Sequence, residues 1–254
     1  MRRLLQYRTA AWAGVATQLV FGAILVAIRT AFYRASGDSL PLTFDQMVTY
    51  TWLGQAFFAL TPYTTNPDPE VSRMMRDGSI GYELARPVDL YRLWFVRQAT
   101  GRLAPTLLRC FPVIFVATLF LGMRLPASPS AAVAWLVATC GSLLLTASLL
   151  TLVSVTLLWT IAGDGIRRVV PAASAFLSGH LIPIAFFPDS VQPLLRALPF
   201  QGIVDAPFQL WLGSRPPSDL LGILGHQAVW SLVFVGVGRG LLATGLRRVL
   251  VQGG

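Results

Sequence analysis

The chain contains no lysine; all 20 of its basic residues are arginine. A P-loop needs a lysine after its glycines to hold nucleotide phosphates, so ATP bound in that way must sit on another polypeptide. Charged residues make up only 12% of the 254 positions, well below the roughly 25% of a soluble domain. Cysteine occurs twice, at Cys110 and Cys140, which leaves no disulfide framework and no metal-ligand spacing. The histidines, His180 and His226, stand alone in their segments, without the acidic neighbours of a metal or general-base site.

What the chain has in abundance is apolar surface. It is 54% hydrophobic with a mean hydropathy of +0.62, and its long apolar runs match a hydrocarbon core of roughly 30 Å crossed at about 1.5 Å per residue. The pattern predicts an all-α integral membrane protein, a single domain over 1–254, with six spans at about 11–33, 44–62, 103–123, 131–160, 169–187 and 219–240. Ala11 to Ile28 is 18 residues without a charge. That exceeds the usual 7–15-residue apolar core of a signal peptide, so the first run reads as a retained span.

The arginines set the orientation. With the N-terminus inside, fourteen of them fall on the cytoplasmic side: Arg2, Arg3 and Arg8, the six from Arg73 to Arg102, Arg167, Arg168, Arg239, Arg247 and Arg248. Five fall outside: Arg29, Arg34, Arg124, Arg196 and Arg215. Both termini and the 64–102 loop are therefore expected in the cytoplasm of a multi-pass protein of the cell (inner) membrane, with 34–43, 124–130 and 188–217 facing out. The net charge of +9 is a consequence of topology, and no nucleic-acid role is needed to explain it. Arg109 alone lies inside a span, about 9 Å deep at 1.5 Å per residue, shallow enough to snorkel back to the headgroups.

The 64–102 loop carries a short capped helix. Asp68 suits the N-cap, Pro69 the first helical position and Glu70 the positive end, while Gly78 suits a left-handed stop. The helix, expected over about 69–77, places Val71, Met74 and Met75 on one face and Glu70, Arg73 and Asp77 on the other. Pro87 stops any following helix, and Asp89 can cap the next. From composition alone this element could equally be an interfacial anchor. In the outer segment, Val191, Leu194, Leu195 and Leu198 form an amphipathic stripe. Pro199 breaks it, Pro207 interrupts a second arm, and Trp211 suits an interface; a re-entrant helical hairpin over 188–217 is expected, since non-helical backbone at that depth must be shielded.

Arg73 to Val88 reads R-x-x-R-D-G-S-I-x-x-x-L-x-R-P-V. It resembles the inner loop of ABC-2 family transporter permeases, with Gly78, Ser79, Ile80, Leu84 and Pro87 on the positions of that family's coupling helix and its exit. Ser178 to Gly213 is similar to the family's fifth-span end and outer hairpin, through Pro183, Phe187, Pro188, Leu198, Pro199, Phe200, Pro207 and Gly213. The resemblance implies the permease half of an ATP-driven exporter. It would pair with an identical or sister permease and with two copies of a separate ABC ATPase, which would hold ATP and magnesium; this chain would bind no cofactor, hold no metal and not be an enzyme by itself. It implies ATPase contacts at Glu70, Val71, Arg73, Met74, Asp77, Gly78 and Ser79, a secondary inner contact at Asp164 and Arg167, and outer gate candidates at Phe187, Pro199, Phe200 and Trp211. Trp52, Phe57, Phe58, Phe176, Phe186 and Phe187 would suit the walls for an amphipathic cargo such as a drug, a peptide antibiotic or a lipid-like molecule. The alternative is a non-transport membrane scaffold, or a membrane enzyme with an unrecognised site. The D-G-x-x-A-R pattern of membrane phosphatidyl transferases is not met, because six residues separate Asp77-Gly78 from Ala85-Arg86.

Overall fold

A computed structural model of the chain describes residues 2–36, 40–62, 73–74, 87–159 and 164–252. Among these residues all regular structure is helical: α1 (Arg2–Ser36), α2 (Phe44–Ala56), α3 (Leu90–Phe120), α4 (Pro129–Thr156), α5 (Asp164–Leu177), α6 (Gln192–Ala197), α7 (Asp205–Leu212) and α8 (Leu220–Gln252). Short 3-10 turns at Phe58–Leu60, Ile184–Phe186, Pro199–Gly202 and Pro217–Asp219 join several of them.

The helix starts follow local chemistry. Thr43 and Gln46 form a reciprocal capping box at α2. The Asp89 side chain accepts from Arg92 N–H at the start of α3, as the sequence anticipates, and Ser128 with Pro129 opens α4. α3 continues through both Pro105 and Pro112.

Among the described residues, four helices are long and apolar enough to cross a membrane: Trp12–Ser36, Leu90–Phe120, Pro129–Thr156 and Pro217–Leu246. The expected third span begins much earlier, because Asp89 caps a helix that runs straight from the loop into the apolar stretch. The expected spans at 44–62 and 169–187 are helical only over Phe44–Ala56 and Asp164–Leu177. Those lengths reach about 20 Å each, short of the roughly 30 Å core. Phe57 ends α2, and the turn around Gly179, at φ +85°, ends the second. Only glycine holds that backbone without strain.

α4 is the central post. More than half of its span, 56%, is buried, against 17% for α1 and α8 and 22% for α3. It packs on α3, α7 and α8. α2, buried from Met47 through Ala56, lies among α1, α3 and α7. Gly22 on α1 lets the Trp52 ring approach so closely that a Cβ there would overlap it. Burial of Trp52, Phe57, Leu53, Val113 and Leu145 in one cluster supplies the apolar contact area between the helices.

Candidate functional site

Two polar assemblies occupy opposite ends of the bundle. At the end that receives the 64–102 loop, Arg73 and Met74 are helical; Arg73 is exposed and Met74 is buried. Met74 belongs to a cluster with Leu90, Tyr91 and Trp94 of α3, Val155 of α4 and Leu242 of α8. A flexible thioether suits such a three-helix junction.

Around it, α3 and α8 are joined by polar groups. One Asp89 oxygen accepts the Arg92 N–H at 2.9 Å, and the other lies 3.6 Å from Arg239. The Arg239 guanidinium stands 5.6 Å over the Tyr91 ring. That ring reaches α8 because position 238 is glycine; a Cβ there would lie 2.7 Å from it. Trp159 Nε1 donates to the Leu241 carbonyl at 3.2 Å. Deeper in, the buried Arg102 donates to Gln98 Oε1 at 2.7 Å, and Gln98 donates to Ser154 of α4 at 3.2 Å. An open pocket of about 370 Å³ lies between α3 and α8, lined by Val88, Tyr91, Arg239, Ala243 and their neighbours.

At the opposite end the chain doubles back between α5 and α8 and is pinned by buried polar groups. Asp205 is 1% exposed. Its carboxylate accepts from the Ile184 N–H at 3.3 Å, from Tyr50 Oη at 3.0 Å and from Gln209. Tyr50 Oη also lies 2.9 Å from the Gly179 carbonyl, and the Asp205 N–H donates to the Ser178 carbonyl at 3.1 Å. Burial pushes the Asp205 carboxyl above its ordinary range, opposed by the Ile184 N–H and the Tyr50 hydroxyl.

Gln227 of α8 makes a second clamp. Its amide nitrogen lies 2.7 Å from the Gly202 carbonyl and 2.9 Å from the Ala138 carbonyl of α4. Ser142 of α4 also donates to Gly202, at 3.0 Å. Arg29 of α1 donates to Thr51 at 2.6 Å and to the Leu181 carbonyl at 2.8 Å. Trp211 Nε1 donates to the Arg124 carbonyl at 3.0 Å, while Arg124 pairs with Asp45.

The expected residues fall unevenly on this frame. Glu70, Val71, Asp77, Gly78 and Ser79, and so most of the expected helix at 69–77, lie outside the described residues. Asp164 and Arg167 sit in the first turn of α5. Phe187, Pro199, Phe200 and Trp211 all lie in the folded-back segment. Trp211 is 5% exposed and packs edge-on against Trp135 at 4.6 Å, so it is a core residue here and not an interfacial one. The stripe at 191–198 does not turn one face inward: Leu195 is buried while Leu194 is 63% exposed, because the helix is only six residues long. Trp52 and Phe57, expected to suit a cargo wall, are core residues. Arg109 rests against Gly14 of α1, half-buried between the two helices.

Sequence reasoning did not single out Tyr50, Asp205, Gln227 or Arg102 as structural keys. The signal for Asp205 was present, as a lone acid in the largely apolar run from Leu198 to Leu212. The signal for Gln227 was a carboxamide within a span.

A family model described as ABC-2 family transporter protein matches residues 14–253. The chain belongs to the ABC-2 family of transporter proteins. No curated protein and no solved structure matches it. As a member, it is a multi-pass membrane component of the ABC transporter class, a class that works with an ABC ATPase subunit.

Proposed function

We infer that this ABC-2 protein is the permease of an exporter, moving an amphipathic cargo outward while a separate ATPase subunit hydrolyses ATP with magnesium. In this reading α2 and α5, each extended by its following turns, complete six crossings. Both termini and the 64–102 loop face the cytoplasm, and a second permease, identical or a sister, completes the pathway. The helix at 69–77 docks on the ATPase through Glu70, Val71, Arg73, Asp77, Gly78 and Ser79, with Asp164 and Arg167 as a secondary contact; Met74, expected among these contacts, is instead buried against α3, α4 and α8. The folded-back segment with Phe187, Pro199, Phe200 and Trp211 closes the outer mouth.

The observation that carries this reading is the seat of Met74. It ties the loop at once to α3, α4 and α8, while the adjacent Arg73 is exposed. A push received on Arg73 is thereby delivered to three helices, as a rigid-body transition requires.

The test is identification of an ABC ATPase subunit that co-purifies with this chain, followed by ATPase assay of the complex in lipid. The pair Arg73→Glu with Gly78→Val should abolish stimulated hydrolysis while membrane levels stay normal. Normal assembly and stimulation in that variant would assign the loop to an interfacial anchor.

A further inference from the structure

We propose that Asp89, Tyr91 and Arg239 form a breakable latch between α3 and α8, set by the position of Met74. α3 and α8 both pack on α4, and the two meet each other over a short stretch only. At the loop end that meeting combines the apolar cluster of Leu90, Tyr91, Trp94 and Leu242 with a polar contact, the 3.6 Å pair of Asp89 and Arg239 and Arg239 over the Tyr91 ring. The space beside it, about 370 Å³ and open, is unfilled by apolar packing. Both charged partners are about half exposed, so water can replace either one when the contact parts. The polar contact opens more readily than the apolar cluster beside it.

Three features connect the latch to the loop. Tyr91 and Leu90 belong to the same buried cluster as Met74. Asp89 also caps α3 through Arg92 N–H, so movement of the first turn carries the carboxylate with it. On α8, Leu242 touches the Met74 cluster from three residues beyond Arg239. Displacement of Met74 therefore shifts the turn at 89–91 relative to α8, and the Arg239 contacts part. This rests on the reading of the loop as the segment that an ATPase moves.

The test uses the full chain in membranes, with Cys110 and Cys140 replaced by alanine and cysteines placed at Val88 and Ala243, on opposite walls of the open pocket. A short bismaleimide should join them. R239Q should lower the cross-link yield several-fold, and M74D should do the same. M74L, which keeps the apolar purchase, should retain the parent yield. No cross-link in the parent would overturn the closed arrangement, and an unchanged yield in R239Q would overturn the latch. A loss with R239Q but not with M74D would overturn the link to the loop, as would equal losses in M74L and M74D. Absence of a co-eluting ATPase would sink the permease reading and leave these yields as they stand.

Discussion

The two ends of the bundle are held by different physics. At the folded-back end, buried groups are joined in a network of hydrogen bonds: Asp205 gathers Ile184, Tyr50 and Gln209, and the Gln227 amide nitrogen gathers the Gly202 and Ala138 carbonyls. Removing one member leaves donors stranded in an apolar interior, where each costs about 1–3 kcal/mol. At the loop end, beside the buried Met74 cluster and the Arg102–Gln98–Ser154 chain, a half-exposed ion pair and a ring–guanidinium contact border an open pocket. The ion pair and the ring–guanidinium contact contribute about 0–1 kcal/mol each. The contrast accords with the proposal that an external push is received at the loop.

That contrast can be broken by unequal mutational costs. Asp205→Ala should have the largest effect, about 3 kcal/mol, since it strands the Ile184 N–H and the Gln209 amide, while the Tyr50 hydroxyl keeps only the Gly179 carbonyl. Thermal unfolding of the purified chain in nanodiscs reads it as a marked fall in Tm, and a Tm within a degree of the parent would deny the network its role. Gln227→Leu should cost about 2 kcal/mol, less because Ser142 still donates to the Gly202 carbonyl. Limited proteolysis should then open the 199–213 segment before the helices. Arg239→Gln should cost under about 1 kcal/mol, with Tm nearly unchanged. A fall matching that of Asp205→Ala would erase the distinction between the ends.

Much of this was legible in the sequence, and the misses have physical causes. The apolar runs marked the four long helices among the described residues, since 18-residue apolar windows with at most two charges have few other uses. Asp89 announced the start of the helix that leads into the third span, as the structure has it, but Arg92, Arg97 and Arg102 set the expected span itself to begin only at Leu103. In the structure Arg102 is buried on a helix because Gln98 and Ser154 extend its polar surroundings, and a one-dimensional pattern does not show partners 56 positions apart. Hydropathy also ran straight through Ala56 and Leu177, where tertiary packing ends the helices. Tyr50 and Asp205, separated by 155 positions, are joined only by the fold. The motifs around Gly78 and Pro199 named the family that the match over 14–253 supports, while Met74's inward turn needed the three-helix junction to be seen.

The most direct test asks which end meets the ATPase. Single cysteines at position 73, exposed at the loop end, and at position 194, exposed on the folded-back segment, are introduced in the chain lacking Cys110 and Cys140. Each carries a photoactivatable cross-linker, in membranes that also contain the ABC ATPase subunit that co-purifies with the chain. The account predicts an adduct with the ATPase from position 73 and none from position 194. An adduct from position 194, with none from position 73, would contradict it.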